Sequence, residues 1–301
     1  MVDRPFRGVF TIPVTPFTDS GILDIEGLKE VVGFCIAAGA HGLVTPVNAS
    51  EFQTLSDAER RSVVETVANV NRGRLPFVAG VSGVSSEVAI EFARHAFDLG
   101  ANALIAMPPY VRKPHLEGIR RYFNDLSFSI ELPIFVQNYP LPIGVPMSPN
   151  FLKQIACEIP RICYIKEELP PVTHRVSADL KACGDLIDGV FGGAAGKFML
   201  DEMRRGAIGT MPACDVTDLH VGVWNAYQKG DKRKARDFFN RLLPLLNFES
   251  LYGVNAYKEV IRRRGVIRSA TVRVSVTRGL DASDMEELDV ILSDLEDLFT
   301  I

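Results

Sequence analysis

Short apolar runs alternate with segments of helical length along the first two thirds of this chain, and no other feature limits its fold so tightly. The runs are Gly8–Val14, Gly42–Thr45, Pro76–Gly80, Ala103–Met107, Pro133–Val136, Ile162–Lys166, Gly189–Phe191 and Gly209–Met211. Each is apolar at successive positions, the pattern of parallel strands buried on both faces. Between them lie amphipathic stretches with start signals. Ser56-Asp57-Ala58-Glu59 reads as a capping box, and Ser148-Pro149 as an N-cap with proline at the first helical position. A weak repeat marks the helix ends. Gly39-Ala40-His41-Gly42, Gly100-Ala101-Asn102-Ala103 and Gly206-Ala207-Ile208-Gly209 each close a helical stretch and lead into a strand. Eight strands in strict alternation with helices, with no long linker, predict a closed (β/α)8 TIM barrel, an α/β fold; an open doubly wound sheet would want a dinucleotide fingerprint, which is missing.

The 301 residues exceed the ~250 typical of such a barrel. The remainder reads as helices over roughly Asp218–Gln228, Lys232–Leu246, Gly253–Arg263 and Ser283–Phe299, the last opened by a capping box at Ser283-Asp284-Met285-Glu286. Leu288, Ile291, Leu292, Leu295, Leu298 and Phe299 recur along it at helical spacing, as a stripe that packs on the barrel or a partner subunit. The expected organisation is a catalytic barrel over residues 1–230 and a C-terminal helical extension over 231–301. The basic run Arg262-Arg263-Arg264 falls late in a helix and reads as a solvated face that suits the helix dipole.

Charge and cysteine usage narrow the partners. A net charge of -4 argues against non-specific nucleic-acid binding, and no apolar run approaches the ~18 residues of a membrane span. The N-terminal stretch through Phe17, with arginines at 4 and 7, lacks an apolar leader core and a cleavage site. Cys35, Cys157, Cys163, Cys183 and Cys214 are scattered, and the five histidines are isolated, so neither a disulfide framework nor a metal site is expected. The expected location is the cytoplasm, and no cofactor is expected.

In a (β/α)8 barrel, chemistry sits at the C-terminal ends of the strands. Lys166 ends the sixth run, followed by Glu167-Glu168. A lysine in an apolar barrel mouth loses charge by desolvation, and a neutral amine can attack a ketone to form a Schiff base; a lysine leaving the strand for solvent is the plainer alternative. The run Gly192-Gly193-Ala194-Ala195-Gly196-Lys197 is not a phosphate loop, because Phe191 and Phe198 occupy positions that need glycine and Ser or Thr. It reads instead as backbone closely approached by a ligand. Asn48-Ala49-Ser50-Glu51, after the second strand, forms a turn able to cradle a carboxylate, or only a turn.

Taken in order, several segments resemble the dihydrodipicolinate synthase/N-acetylneuraminate lyase family of Schiff-base barrel enzymes. They are Pro13-Val14-Thr15-Pro16-Phe17, Glu51…Thr54-Leu55-Ser56, Pro108-Pro109-Tyr110, Asn138…Pro140…Gly144 and Ile165-Lys166-Glu167. The resemblance implies Lys166 as the Schiff-base lysine, a small 2-oxo acid as substrate, and a homotetramer built from tight dimers. It also exposes departures. The strand-five tyrosine of the synthase and lyase falls on Gln137, the tyrosine that the synthase supplies across the dimer falls on Val111, and its carboxylate-binding arginine falls on Pro142. The paired threonines that hold the 2-oxo acid carboxylate fall on Asn48-Ala49, followed by Ser50 where glycine is usual.

Aldol cleavage needs a base for the C4 hydroxyl proton, and a glutamine amide cannot serve. The resemblance therefore leans toward the sugar-acid dehydratases, acting on 2-keto-3-deoxy aldonic acids such as 2-keto-3-deoxyarabonate. The expected site has Lys166 forming the imine and Asn48, Ala49 and Ser50 holding the carboxylate. Gln137, Tyr139 and Ser50 line the C3–C5 region, and Gly192 and Met211 shape the wall. Tyr139, two residues beyond Gln137 and so on the same strand face, would restore a phenol. That keeps a retro-aldolase releasing pyruvate from a 4-hydroxy-2-oxo acid as the alternative, with a synthase-like condensing enzyme less expected. A relative that only binds a 2-oxo acid is a third possibility.

Overall fold

The structure is a computed structural model that describes residues 6–274 and 279–301. Arg4, part of the N-terminal stretch considered above, lies outside the described residues. Eight parallel strands close into one barrel in sequence order: β1 (Gly8–Thr11), β2 (Gly42–Thr45), β3 (Phe77–Gly80), β4 (Ala103–Ala106), β5 (Ile134–Asn138), β6 (Ile162–Glu167), β7 (Gly189–Gly192) and β8 (Gly209–Thr210). Pairing of Gly8 with Gly209 shuts the ring. Helices α1 (Ile25–Ala37), α2 (Asp57–Asn71), α3 (Ser86–Asp98), α4 (Leu116–Ser129), α5 (Pro149–Glu158), α6 (Val172–Cys183), α7 (Met199–Arg204) and α8 (Thr217–Gln228) alternate with the strands. The predicted fold class is thus observed.

Local signals account for much of this. Ser56 and Glu59 form the reciprocal capping box that starts α2, and Ser148 caps α5 with Pro149 behind it. Gly39 and Gly100 stand just past their helices at φ +79° and +80°, a left-handed conformation that costs other residues a steric penalty. The barrel interior is filled by Phe10, Val44, Val78, Ile105, Phe135, Tyr164, Phe191 and Met211. Phe6 lies edge-on to Phe10, Phe135 and Tyr164, closing that interior, and Phe135 stacks on Tyr164 with ring centres 4.3 Å apart. A second apolar layer fills the space between strands and helices.

The extension is α9 (Lys232–Tyr252), α10 (Val254–Arg263) and α11 (Ala282–Ser293). Its apolar layer is continuous with the barrel, joining Val9, Met199 and Trp224 to Leu242, Leu246, Val260, Leu288, Ile291 and Leu295. Beyond shifts in element ends, such as β1 stopping at Thr11 and α9 running on to Tyr252, three details differ from the sequence expectation. Strand β5 runs on through Gln137 and Asn138, because both pair with β6. Helix α11 opens at Asp281, which exchanges hydrogen bonds with Asp284, so Ser283 lies inside the helix, and the helix ends at Ser293. The run Arg262-Arg263-Arg264 is engaged rather than solvated. Arg264 is buried and grips both carboxylate oxygens of Asp218 at 2.8 Å, while Arg262 and Arg263 share Glu259.

After α10, residues 271–274 lie at the barrel mouth. Arg273 anchors this strap. Its guanidinium bonds Gly21 O, Thr54 O and Glu59 and lies 4.2 Å from the Phe17 ring centre, and its backbone N–H reaches Glu51. Lys258, fully buried, pairs with Glu51 and donates to Thr271 O at 2.7 Å. No helix among the described residues is long and apolar enough to cross a membrane.

Candidate active site

Side chains alternate along a strand, so Tyr164 in the barrel interior sends Lys166 inward too, at the strand's C-terminal end. Lys166 is buried and faces a cavity of about 590 Å³ at the barrel mouth. Asn48, Ala49, Tyr139 and Met211 line that cavity, with Glu51, Tyr110, Pro142, Glu168, Tyr257 and the strap residues Val272 and Val274. A second cleft of about 570 Å³, among Arg262, Arg263, Arg264 and Asp289, shares no residue with it.

The organising group is Glu168, which the sequence reading passed over. One oxygen lies 3.4 Å from Lys166 Nζ and accepts from the Gln137 amide at 2.7 Å; the other accepts the Ala194 N–H at 3.2 Å. Its side chain is almost as buried as Lys166. A carboxylate held this way can take a proton from a neighbouring carbon or give one to a departing oxygen. The signal was available, since a residue two beyond an inward lysine shares its direction at a strand end.

Gln137 is therefore at the site as a clamp on Glu168. Tyr139 lies beside it, and its phenol is pushed up to about 12, first by burial and then by the charge of Glu168, with a hydrogen bond to Asn48 opposing the rise. Asn48 and Ala49 open a short 3-10 turn, whose first N–H groups lack intrahelical partners. Ser50 follows but does not reach the cavity. Its hydroxyl donates to Pro13 O at 2.8 Å and meets Thr45 at 3.1 Å, so it ties the turn to β1 and β2.

Gly192 also faces away. A Cβ there would sit 1.9 Å from the Glu202 carboxylate of α7, and a Cβ on Gly193 would sit 2.5 Å from Glu168. The glycine pair lets two carboxylates press against the β7 end from opposite sides, and the ligand-approach reading of these glycines gives way to that packing. Glu202 is buried with neither oxygen hydrogen-bonded among the described residues; burial, then Glu168 and Asp201, push it up to about 8.

Glu167, the other neighbour of Lys166, points outward. It accepts from Asn138 Nδ2 at 2.7 Å and from the Leu169 N–H at 2.6 Å. Burial and its hydrogen bond with Asp179 push it up to about 9. Since Asn138 pairs with Glu167 and Gln137 with Lys166 in register, Glu167 fixes β5 against β6 from behind the site. Among the described residues no three His, Cys, Asp or Glu side chains converge as a metal site would require.

Comparisons with known proteins agree with this architecture. The sequence pattern of the dihydrodipicolinate synthetase family matches residues 5–295. An L-2-keto-3-deoxyarabonate dehydratase from Azospirillum brasilense is 32% identical over 89% of this chain and 87% of its own length. A 4-hydroxy-tetrahydrodipicolinate synthase from Methanopyrus kandleri is also 32% identical, over 79% of this chain and 80% of its own. The crystal structure of dihydrodipicolinate synthase from Rhodopseudomonas palustris superposes with a TM-score of 0.87 at 27% identity, covering 96% of this chain and 97% of that one. A matched pattern spanning nearly the whole barrel and extension, on relatives that are lyases and synthases, means that the chain belongs to the dihydrodipicolinate synthetase family.

Proposed function

We propose that this enzyme is a carbon–oxygen lyase that dehydrates a 2-keto-3-deoxy sugar acid through an imine on Lys166. One observation carries the reading: where aldol cleavage would want a phenol on β5, Gln137 stands instead and holds Glu168 against Lys166. Lys166 attacks the C2 carbonyl and water leaves, giving the iminium. Glu168 removes a C3 proton to form the enamine, and the enamine electrons then expel the C4 hydroxyl as water once it has received a proton. The N–H groups at Asn48 and Ala49 hold the substrate carboxylate, and Met211 bounds the chain. Ser50 and Gly192 support this site from behind. The name of the Azospirillum relative favours the same substrate class. We extend the reading to a homotetramer acting in the cytoplasm, with residues 1–230 as its catalytic unit and 231–301 as the extension.

Tyr139 in the cavity favours a second reading, a retro-aldolase releasing pyruvate. Borohydride reduction in the presence of pyruvate, followed by mass spectrometry, tests the shared step, with added mass expected at Lys166. Absence of an adduct sinks both readings and leaves a binding protein. A lactate dehydrogenase coupled assay on 2-keto-3-deoxyarabonate then separates them, because only the aldolase releases pyruvate. Light scattering checks the tetramer.

A further inference from the structure

The turn that follows β7 bends against the preference of its own residues. Ala194, Ala195 and Gly196 succeed one another at φ +48°, +56° and +75°. Glycine tolerates that left-handed region. An alanine Cβ crowds its own backbone there, so two alanines in succession hold it only when neighbours impose it. Part of the restraint is internal: the Gly196 N–H donates to Gly193 O at 2.9 Å and the Lys197 N–H to Ala194 O at 3.1 Å. What the bend delivers is the Ala194 N–H, which donates to Glu168 Oε1 at 3.2 Å.

The restraint from outside comes from α8. His220, in its first turn, is 1% exposed, and its Nε2 lies 3.1 Å from Ala195 O. A carbonyl oxygen only accepts, so Nε2 carries the hydrogen and the ring donates. Burial pushes the imidazole down to about 4, which leaves it neutral near pH 7 with Nδ1 as the bare nitrogen. Nδ1 is buried without a partner among the described residues, so the side chain directs its hydrogen bond at the turn alone. The fit is close: a Cβ on Gly196 would sit 2.8 Å from Nε2. Two hydrogen bonds, joined by the Ala194-Ala195 backbone, thus connect a buried histidine to the carboxylate beside Lys166.

We propose that His220 is a positioning residue for the reaction: it holds the Ala194-Ala195 turn in its left-handed form, so that the Ala194 N–H keeps Glu168 aimed at the substrate's C3. The inference rests on the imine reading and supplies what steadies the base in it. Before substrate arrives, Lys166 Nζ, the Gln137 amide and the Ala194 N–H surround the Glu168 carboxylate. Once Lys166 is committed to the imine, the Gln137 amide on one oxygen and the Ala194 N–H on the other remain as its anchors. Donors on both oxygens fix the plane of a carboxylate, whereas one alone lets it turn. Glu168 then takes the C3 proton; the C–H electrons form C2=C3, and the C=N electrons move to the nitrogen. A base that swings by an ångström misses that proton, and misplacement on that scale can cost about 100-fold in rate.

The test compares wild type, His220→Leu and His220→Gln in the full-length enzyme, with pyruvate as the probe. Borohydride trapping reads the imine on Lys166. Deuterium uptake at pyruvate C3 reads the base, because Glu168 trades the removed proton with deuterium oxide and returns a deuteron. His220→Leu should trap pyruvate at the wild-type level while uptake at C3 falls about tenfold or more. With 2-keto-3-deoxyarabonate, kcat should fall by a similar factor and KM should stay within about twofold. His220→Gln, whose amide NH2 can donate to the same carbonyl, should recover most of the exchange. Should His220→Leu not fold, His220→Phe replaces it with the same expectation. Exchange in the Leu variant within about threefold of wild type overturns the inference. So does joint loss of adduct and exchange, a change confined to KM, or a Gln variant as slow as the Leu variant. A wild type that forms the adduct but does not exchange C3 overturns this inference alone, whereas one that forms no adduct overturns the imine reading as well.

Discussion

Glu167 and Glu168 are neighbours in sequence and strangers in space. Glu168 faces the cavity, where the Lys166 amine and the Gln137 amide hold it and where the proposed mechanism uses it for proton transfer. Glu167 faces the helices, where Asn138, the Leu169 N–H and Asp179 hold it as a mostly protonated strut. The same side chain is the proposed reagent on one side of a barrel wall and a brace on the other, and strand parity alone decides which.

Substitutions can break that contrast. Replacing Lys166 with Met should cost most, at least 10⁴-fold in turnover with no borohydride adduct, since no other amine lines the cavity among the described residues. Glu168→Gln should lower kcat about 10²- to 10⁴-fold, the range for losing a general acid–base group, while thermal melting shows near wild-type stability. Glu167→Ala should reverse that order: urea unfolding should report a loss of about 1–3 kcal/mol from the unpaired Asn138 amide and Leu169 N–H, with a smaller fall in kcat.

The glycine pair allows a finer test on stability alone. Glu202, behind Gly192, keeps its proton in the folded state up to about pH 8, whereas an unfolded glutamate releases it near pH 4. The folded pKa is the higher one, so stability from the protonated form is complete below about pH 4 and is lost as pH rises toward 8. Glu202→Gln should therefore melt like wild type at pH 4–5 and be more stable at pH 8, by on the order of 3 kcal/mol. A constant difference across that range would show that Glu202 does not titrate as its surroundings dictate. Smaller still should be Ser50→Ala, which removes hydrogen bonds to Pro13 and Thr45 but no cavity contact. About 1 kcal/mol of stability and little change in KM are expected in denaturant melts and steady-state kinetics.

How much of this was legible in the chain follows from how local each signal is. The strands, the caps at Ser56 and Ser148, and Lys166 at a strand end depend on periodicity and neighbours a few residues away. Glu168 was equally local, and parity from Lys166 would have found it. The family resemblance put Ser50 at the substrate and Gly192 in the wall, but hydrogen bonding to Pro13 and the approach of Glu202 from α7 depend on packing that no window of sequence contains. Tyr257 reaches the cavity only through the way α10 docks on the barrel. The sequence of that extension carries helix period and nothing that points at a cavity.

The strap that Arg273 fastens over the mouth joins residues separated by 214 positions, Glu59 near the start and Arg273 near the end. Lys166 and Glu168 thus precede Val272 in the chain by a wide margin, and the cavity that all three line is complete only when a segment far downstream is in place.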